Sequence, residues 1–408
     1  MTDALAIFDD APHGLTCCRV CSAASGFQVG CVPAVPISLW PTSAPPHPAF
    51  DLELFVCKSC GHLQLQTMTA DFVSRFYEDG IFVEDNSAGH DQRLLALKGH
   101  FGEDSLVGSK ILDVGGGNNP FVGRIKEAKE RWISDIVVSK IAAAQADWAV
   151  AGNFSTADLP DAAFDVVTLF HTLEHFAEPS RAVERLSQVV RPSGLALIEV
   201  PNAEGFIRAV PHYGVFHQHQ SYFHRATLDG LMGRFGFDRV HLFREDTVLL
   251  AAYQRRSGAM EMPADIDLDS GLIIGELRQR IIESIDKTLR KKLGSARRIA
   301  VYGAGGSTTM FLTLLPWLRA RVIGVFDRDV GKHGRYVPGT AVRVGPPDQV
   351  DACEADAVVF LSTKLFESLA QNYVTPAFDA DAVFASIGQQ ESVAGSNQTE
   401  GGAKDDVG

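Results

Sequence analysis

Short apolar runs that alternate with amphipathic stretches restrict this chain more than any other feature. Lys110–Val114, Phe164–Leu169 and Leu195–Val200 are β-like, and helical stretches such as Arg181–Val190 lie between them. Runs this apolar need cover on both faces of a sheet. Intervening helices supply that cover when the strands run parallel. The pattern returns near the C-terminus, in Ile299–Tyr302, Val322–Phe326 and Ala357–Leu361. The fold class expected is α/β, with two Rossmann-like units in one chain. A length of 408 residues with 46% hydrophobic residues is enough for more than one core.

The rest of the chain divides around these blocks. Residues 1–69 are rich in Pro and Cys, as in Pro33-Ala34-Val35-Pro36 and Ala44-Pro45-Pro46-His47-Pro48, and leave little room for long helices. Residues 70–255 hold the first alternating block. Residues 256–296 hold a polar, Asp-rich linker and then an amphipathic helix, in which Ile273, Leu277, Ile281, Ile285, Leu289 and Leu293 recur every fourth position. That helix reads as a connector packed on its neighbours. Residues 297–388 hold the second block, and the Gly-, Ser- and Gln-rich tail, 389–408, is expected to be disordered.

Charge and hydropathy narrow the partners. A formal net charge of −13 with no basic run argues against nucleic acid. No apolar stretch is long enough to span a bilayer, and Met1–Pro12 lacks the basic and apolar regions of a signal peptide, so a cytoplasmic location is expected. Composition leaves the oligomeric state open.

Four of the seven cysteines form two knuckles, Cys18-Arg-Val-Cys21 and Cys57-Lys-Ser-Cys60. Each tight turn presents two thiolates, and two such turns close a tetrahedron around Zn2+. With Cys18, Cys21, Cys57 and Cys60 all supplying sulfur, no position is left for water, so the metal would be structural. Cys17 has the wrong spacing for a ligand, and His62 is a weaker competitor.

The strand Ile111–Val114 runs into Gly115-Gly116-Gly117-Asn118-Asn119-Pro120, a turn whose glycines let backbone approach a ligand closely. Asp135 follows at the end of the next strand, where a carboxylate can take ribose hydroxyls. Asn153 and Phe154 follow the third strand, where an aromatic ring could cover an adenine. His171-Thr172-Leu173-Glu174-His175 follows the fourth. Asp113 distinguishes the cofactor: a carboxylate at the first turn repels a pyrophosphate but suits the charged amine of S-adenosylmethionine. Asp113, Gly115, Gly117, Asn118, Asp135, Asn153, Phe154 and His171 are therefore the candidate cofactor-binding residues.

These segments together resemble the sugar C-methyltransferases that act on nucleotide-linked keto-deoxysugars. The resemblance runs from Cys18 to about Ile387. It is carried by the cysteine quartet with Gly61, and by Leu173-Glu174-His175 with Phe216-His217-Gln218-His219-Gln220-Ser221-Tyr222-Phe223. The third carrier is Val301–Ser307 with Phe326–Asp329 and Gly331–Gly339. It implies a class I methyltransferase Rossmann-like core between a small zinc-binding N-terminal module and a Rossmann-like C-terminal nucleotide-sugar domain. It also implies a chemistry: a base removes a proton beside a ketone, and the enolate attacks the sulfonium methyl. By resemblance His219 falls on the base and His175 on a second active-site histidine. Phe216, Gln218, Tyr77, Ser307, Lys332 and Arg335 fall on the substrate side. The chain departs from the pattern at Gln218 (often Glu), Phe216 (often Tyr), Asp79 (the second Tyr of a Tyr-x-Tyr pair) and Ser307 (commonly Lys).

Gly303-Ala304-Gly305-Gly306-Ser307-Thr308, with Asp327 at the end of the next strand, nearly matches a dinucleotide fingerprint, but Thr308 stands where its third glycine would be. A nucleotide-sugar phosphate is the ligand expected there, with Lys332 and Arg335 adding charge. Two other functions stay open: O-methylation of a sugar or related metabolite, and a nucleotide-sugar binding protein without catalysis.

Overall fold

The computed structural model describes residues 17–24, 26–36, 40–47, 49–65, 89–209, 214–215, 218–256, 268–387 and 390. Three sheets organise them. The central one holds β4 (Lys110–Val114), β5 (Glu130–Asp135), β6 (Trp148–Ala151), β7 (Phe164–Phe170), β8 (Val190–Pro201), β10 (Phe237–Glu245) and β11 (Val248–Arg255). Their order is β10-β11-β8-β7-β4-β5-β6. Every pairing is parallel except those of β11, which is antiparallel to both β8 and β10. This is the parallel α/β sheet that the alternation implied, in the class I methyltransferase arrangement that the family resemblance implied. Chain order reverses between β4 and β7, and the crevice outside the carboxyl ends of strands at such a switch point is where open α/β sheets bind ligands.

The strands lie between two apolar layers, which is why they read as unbroken apolar runs. Val114, Val167, Leu169, Ile198 and Val200 pack on one side with Leu186 and Val189 of the helix Pro179–Val189. Ile111, Ile133, Val166 and Leu197 pack on the other with Leu97 of the helix His90–Phe101 and with Phe121.

The N-terminal module differs from the irregular segment read from the sequence. It is an antiparallel sheet of β1 (Gly26–Pro36), β2 (Ala49–Cys57), β3 (Leu63–Leu65) and β9 (Ser221–Tyr222), in that order. Prolines hide the strand signal, but Pro33 sits at a register shift between Val32 and Val35, where a missing amide is tolerated. β9 comes from the segment between β8 and β10 of the central sheet. It pairs Tyr222 with Leu63 and Ser221 with Gln64, so the module holds the segment that carries His219.

The helix Leu268–Leu293 buries Leu277, Ile281, Ile285, Leu289 and Leu293 in the core of the C-terminal unit, and Ile274 against the N-terminal sheet. The C-terminal unit is a parallel sheet in the order β14-β13-β12-β15-β16, of β12 (Ile299–Tyr302), β13 (Val322–Phe326), β14 (Val344–Gly345), β15 (Ala357–Phe360) and β16 (Ala377–Asp379). Among the described residues no helix is long and apolar enough to cross a membrane.

Candidate active site

The glycine turn after β4 is held from below. Asp113 is 2% exposed, and its carboxylate accepts from the Phe121 amide (2.6 Å) and the Thr168 hydroxyl (2.6 Å). Burial pushes its pKa up. Both oxygens are thus engaged by the protein, and the side chain shapes the turn from inside. Gly115 has φ +76°, and a Cβ there would lie 2.4 Å from the Thr172 hydroxyl oxygen. Only glycine lets the first turn approach the segment after β7 this closely. Asp135 ends β5 and accepts from the Gly117 amide at 3.0 Å, and burial raises its pKa. The Asn118 carbonyl accepts from Gln145 at 2.9 Å, and the Asn119 carbonyl is 2.7 Å from His90 Nε2.

Two residues after β6 divide differently from expectation. Asn153 caps a short turn by accepting from the Ser155 amide at 2.9 Å. Phe154 is 3% exposed and belongs to the core cluster beneath the helix Pro179–Val189. Its ring is interior packing rather than the cover for an adenine. A lone aromatic after a strand carries no sequence signal that separates the two.

The segment after β7 brings the ionisable groups together. His171, at φ +50°, places Nε2 2.8 Å from Glu199 Oε1 and Nδ1 3.4 Å from Glu174 Oε1. Burial opposes its charge, but the two carboxylates outweigh burial and raise its pKa to about 9. Glu199, on β8, also takes Arg93 in a two-pronged pair at 2.5 and 3.0 Å. Burial opposes the charge of Glu199 too, yet His171 and Arg93 hold its pKa at about 2. Arg93 in turn is 2.9 Å from His90 Nδ1 and lies 4.7 Å from the Phe170 ring centre.

His175 and His219 meet with ring centres 4.9 Å apart. His175 Nδ1 is 3.1 Å from the Gln218 carbonyl, and the Gln220 amide donates to the Glu174 carbonyl at 2.8 Å. The two bonds flank His219, which is 6% exposed. Glu174, His175 and His219 each bring one ligand-type atom within 4.8 Å of the others. Tyr77 and Phe216 lie outside the described residues.

Sequence reasoning set His171 among the cofactor-binding residues and paired His175 with His219; the structure puts the latter two ring to ring and joins His171 to them through Glu174. Sequence reasoning did not single out Glu174, although that residue stands inside the quoted motif. Arg93 and Glu199 are 106 residues apart, and nothing local to either announces the pair.

The four cysteine sulfurs also converge. Cys18 Sγ lies 3.6 Å from Cys60 Sγ, Cys21 Sγ lies 3.5 Å from Cys57 Sγ, and all four fall within 4.8 Å of one another. Tetrahedral zinc with bonds of about 2.3 Å sets sulfurs roughly 3.8 Å apart, so the cradle fits that ion. The Val20 and Ser59 amides donate to the Cys18 and Cys57 sulfurs, as tight knuckles do.

In the C-terminal unit the Ala304 amide donates to Asp327 Oδ2 at 2.6 Å, and Thr308 donates its hydroxyl to the Gly303 carbonyl. Ser307 stands in the first turn of the helix Gly306–Leu314. Lys332 pairs with Asp327 (3.5 Å) and Asp329 (3.8 Å). Arg335 donates to the Gly331 and Trp40 carbonyls. Both cations are thus partly engaged by the protein itself.

Two family models fit this arrangement. A methyltransferase domain matches residues 87–242, and a C-methyltransferase C-terminal domain matches residues 275–378. The chain is thus similar to methyltransferases over the first of these segments and to the C-terminal part of C-methyltransferases over the second. It is 22% identical over 205 residues to the C-methyltransferase NovU of Streptomyces niveus, covering 46% of this chain and 49% of that protein. A probable S-adenosylmethionine-dependent methyltransferase of Mycolicibacterium smegmatis is 39% identical over 51 residues, 12% of this chain and 20% of that one. The chain thus spans about half or less of the curated relatives it matches. Among solved structures, the Burkholderia thailandensis 1,6-didemethyltoxoflavin-N1-methyltransferase is 18% identical with a TM-score of 0.36, covering 50% of this chain and 96% of that one.

Proposed function

We propose that this methyltransferase moves a methyl group to a carbon beside a ketone in a nucleotide-linked keto-deoxysugar, with His219 as the base. The observation that supports this is the His175–His219 pair, with His219 buried and His175 half-buried, fixed by bonds on either side of His219. S-adenosylmethionine supplies the electrophilic methyl. Asp135 and the Gly115–Gly117 turn would hold it, because they lie at the carboxyl ends of β5 and β4, where open α/β sheets bind ligands.

The chain's own residues do the proton work. His219 takes the proton from carbon, and the C–H electron pair stays behind as the enolate. A bound S-adenosylmethionine would give its methyl to the enolate carbon as the S–C bond breaks and S-adenosylhomocysteine departs with that electron pair, and the proton leaves His219 for solvent. His175 polarises or positions. The cysteine quartet holds one zinc with no open position, so the metal shapes the module and takes no part in the chemistry. The turn after β12 and the charges of Lys332 and Arg335 suit the nucleotide diphosphate. NovU, a C-methyltransferase by name, lends the choice of carbon its support.

The test is product analysis with a nucleoside-diphosphate-linked 4-keto-6-deoxyhexose deuterated beside the ketone. Carbon methylation replaces one deuterium by methyl, whereas O-methylation replaces a hydroxyl hydrogen and keeps every deuterium on carbon, so its product is the heavier. Retention of label in methylated product would overturn this reading in favour of oxygen.

A further inference from the structure

Glu174 is 1% exposed, and among the described residues neither oxygen of its carboxylate meets a donor in hydrogen-bond geometry. A buried charge in that position is costly unless something compensates it. Two groups stand nearest: His171 Nδ1 at 3.4 Å and His175 Nε2 at 4.0 Å. His219 completes the cluster within 4.8 Å. The His175 Nδ1 proton points to the Gln218 carbonyl, so a neutral His175 would turn the lone pair of Nε2 toward a carboxylate. Two acceptors facing each other need a proton between them.

The groups form a row of alternating charge across three elements. Arg93 from the helix His90–Phe101 meets Glu199 on β8, Glu199 meets His171, and His171 meets Glu174. Beyond Glu174 come the two imidazoles. The next positive charge in the row is the proton that the base collects. On the other side, Arg19 donates to the Gln220 side chain at 3.1 Å and to the Leu65 carbonyl, while Tyr222 lies 6.3 Å from His219, ring centre to ring centre.

We propose that Glu174 is the positioning carboxylate of the histidine pair, standing in from the segment after β7 for the acid that Gln218 cannot supply. The proton taken by His219 then sits in the field of a carboxylate that is ion-paired with His171. A divalent cation would suit the same three groups in number, but it would sit against a carboxylate that already holds the His171 cation. The proton is therefore favoured. The inference rests on reading His219 as a proton acceptor and does not depend on which substrate is methylated.

The experiment is NMR titration of His219 in the zinc-loaded full chain, with calorimetric S-adenosylmethionine binding as a check on folding. Glu174→Gln should lower the His219 midpoint by about one pH unit or more, the effect of removing a neighbouring opposite charge. Adding Gln218→Glu to that variant should restore it. His171→Gln should move the midpoint the other way, since Glu174 would then lend its whole charge to the pair; this variant decides the matter if Glu174→Gln fails to fold. An unmoved His219 midpoint in folded Glu174→Gln, or a downward shift in His171→Gln, overturns the proposal. So does saturable uptake of a second equivalent of Mn2+ or Zn2+ that Glu174→Gln abolishes. Because no substrate enters the measurement, failure of the carbon-methylation reading would be seen separately.

Discussion

His219 and Asp135 are the residues on which the proposed chemistry turns, and each has its own readout. Removing a general base typically costs about a hundred- to ten-thousandfold in rate. His219→Asn should therefore lose turnover on that scale while binding S-adenosylmethionine normally, and His175→Asn should lose less. Near-normal turnover of His219→Asn where chemistry limits the rate would remove His219 from the base role. Asp135 accepts the Gly117 amide at the end of β5, and the reading that it also takes the cofactor's ribose hydroxyls can be tested. A charged acceptor on hydroxyls contributes roughly 1.5–3 kcal/mol, so Asp135→Ala should weaken cofactor binding about tenfold or more by calorimetry. The Arg93–Glu199–His171 row makes a further prediction, about pH. His171 rises from 6.5 to about 9, so its contribution to stability is complete below 6.5 and is lost as pH climbs through 9. Glu199 falls from 4.5 to about 2, so its contribution is present above 4.5 and lost as pH falls through 2. The stability gap between the native chain and Glu199→Gln should be widest between those limits, from 4.5 to 6.5. Melting curves that show the gap growing toward alkaline pH would contradict the pairing. At this scale the sequence was informative where residues cluster in one segment, as His171 to His175 do. It was silent where partners come from distant strands, as Arg93 and Glu199 do.

Elements were legible in proportion to their periodicity. The parallel strands and the connector helix could be read because burial on two faces, or on one helical stripe, leaves a repeating apolar pattern. The N-terminal strands could not, because Pro33 and Pro36 interrupt β1 and the partner of β3 lies in another part of the chain. That partner, β9, gives the zinc module a consequence for catalysis. Leu63 pairs with Tyr222, and the Leu65 amide donates to the Gln220 carbonyl at 3.1 Å, so the knuckles brace the segment next to His219. Protein purified without added metal should contain about one zinc per chain, the stoichiometry of one four-cysteine site. Cys57→Ser should lose that zinc. Chelation should abolish turnover before it abolishes S-adenosylmethionine binding, because the cofactor turn is carried by β4 and β5 in a different sheet. Full activity in zinc-free protein would show that the strand pairing holds without the metal.

On the scale of the whole molecule, the N-terminal module touches both larger units, and Trp40 is its anchor on the second. The indole is 7% exposed and lies in the same core cluster as Leu318, Val337 and Phe384 of the C-terminal unit. Lys332 stands 4.9 Å from its ring centre, and its carbonyl accepts from Arg335. Beside it the Tyr336 amide donates to the Pro41 carbonyl at 2.8 Å, and the Gly339 amide to His47 Nδ1 at 3.1 Å. The loop that carries Lys332 and Arg335 is thus fixed by a segment almost three hundred residues earlier in the chain, which no local reading of either segment could disclose. Deleting a buried indole typically costs about 3–5 kcal/mol. In Trp40→Ala that loss should fall on the C-terminal unit and on the placement of Lys332 and Arg335, while the cofactor turn, in another sheet, is spared. Calorimetric melting should show a C-terminal transition moved to lower temperature, with S-adenosylmethionine affinity unchanged and affinity for a nucleoside diphosphate reduced. A variant that melts like the native chain would show that Trp40 fills space at that boundary without holding it. Equal losses of both affinities would instead mean that the three units stand or fall together.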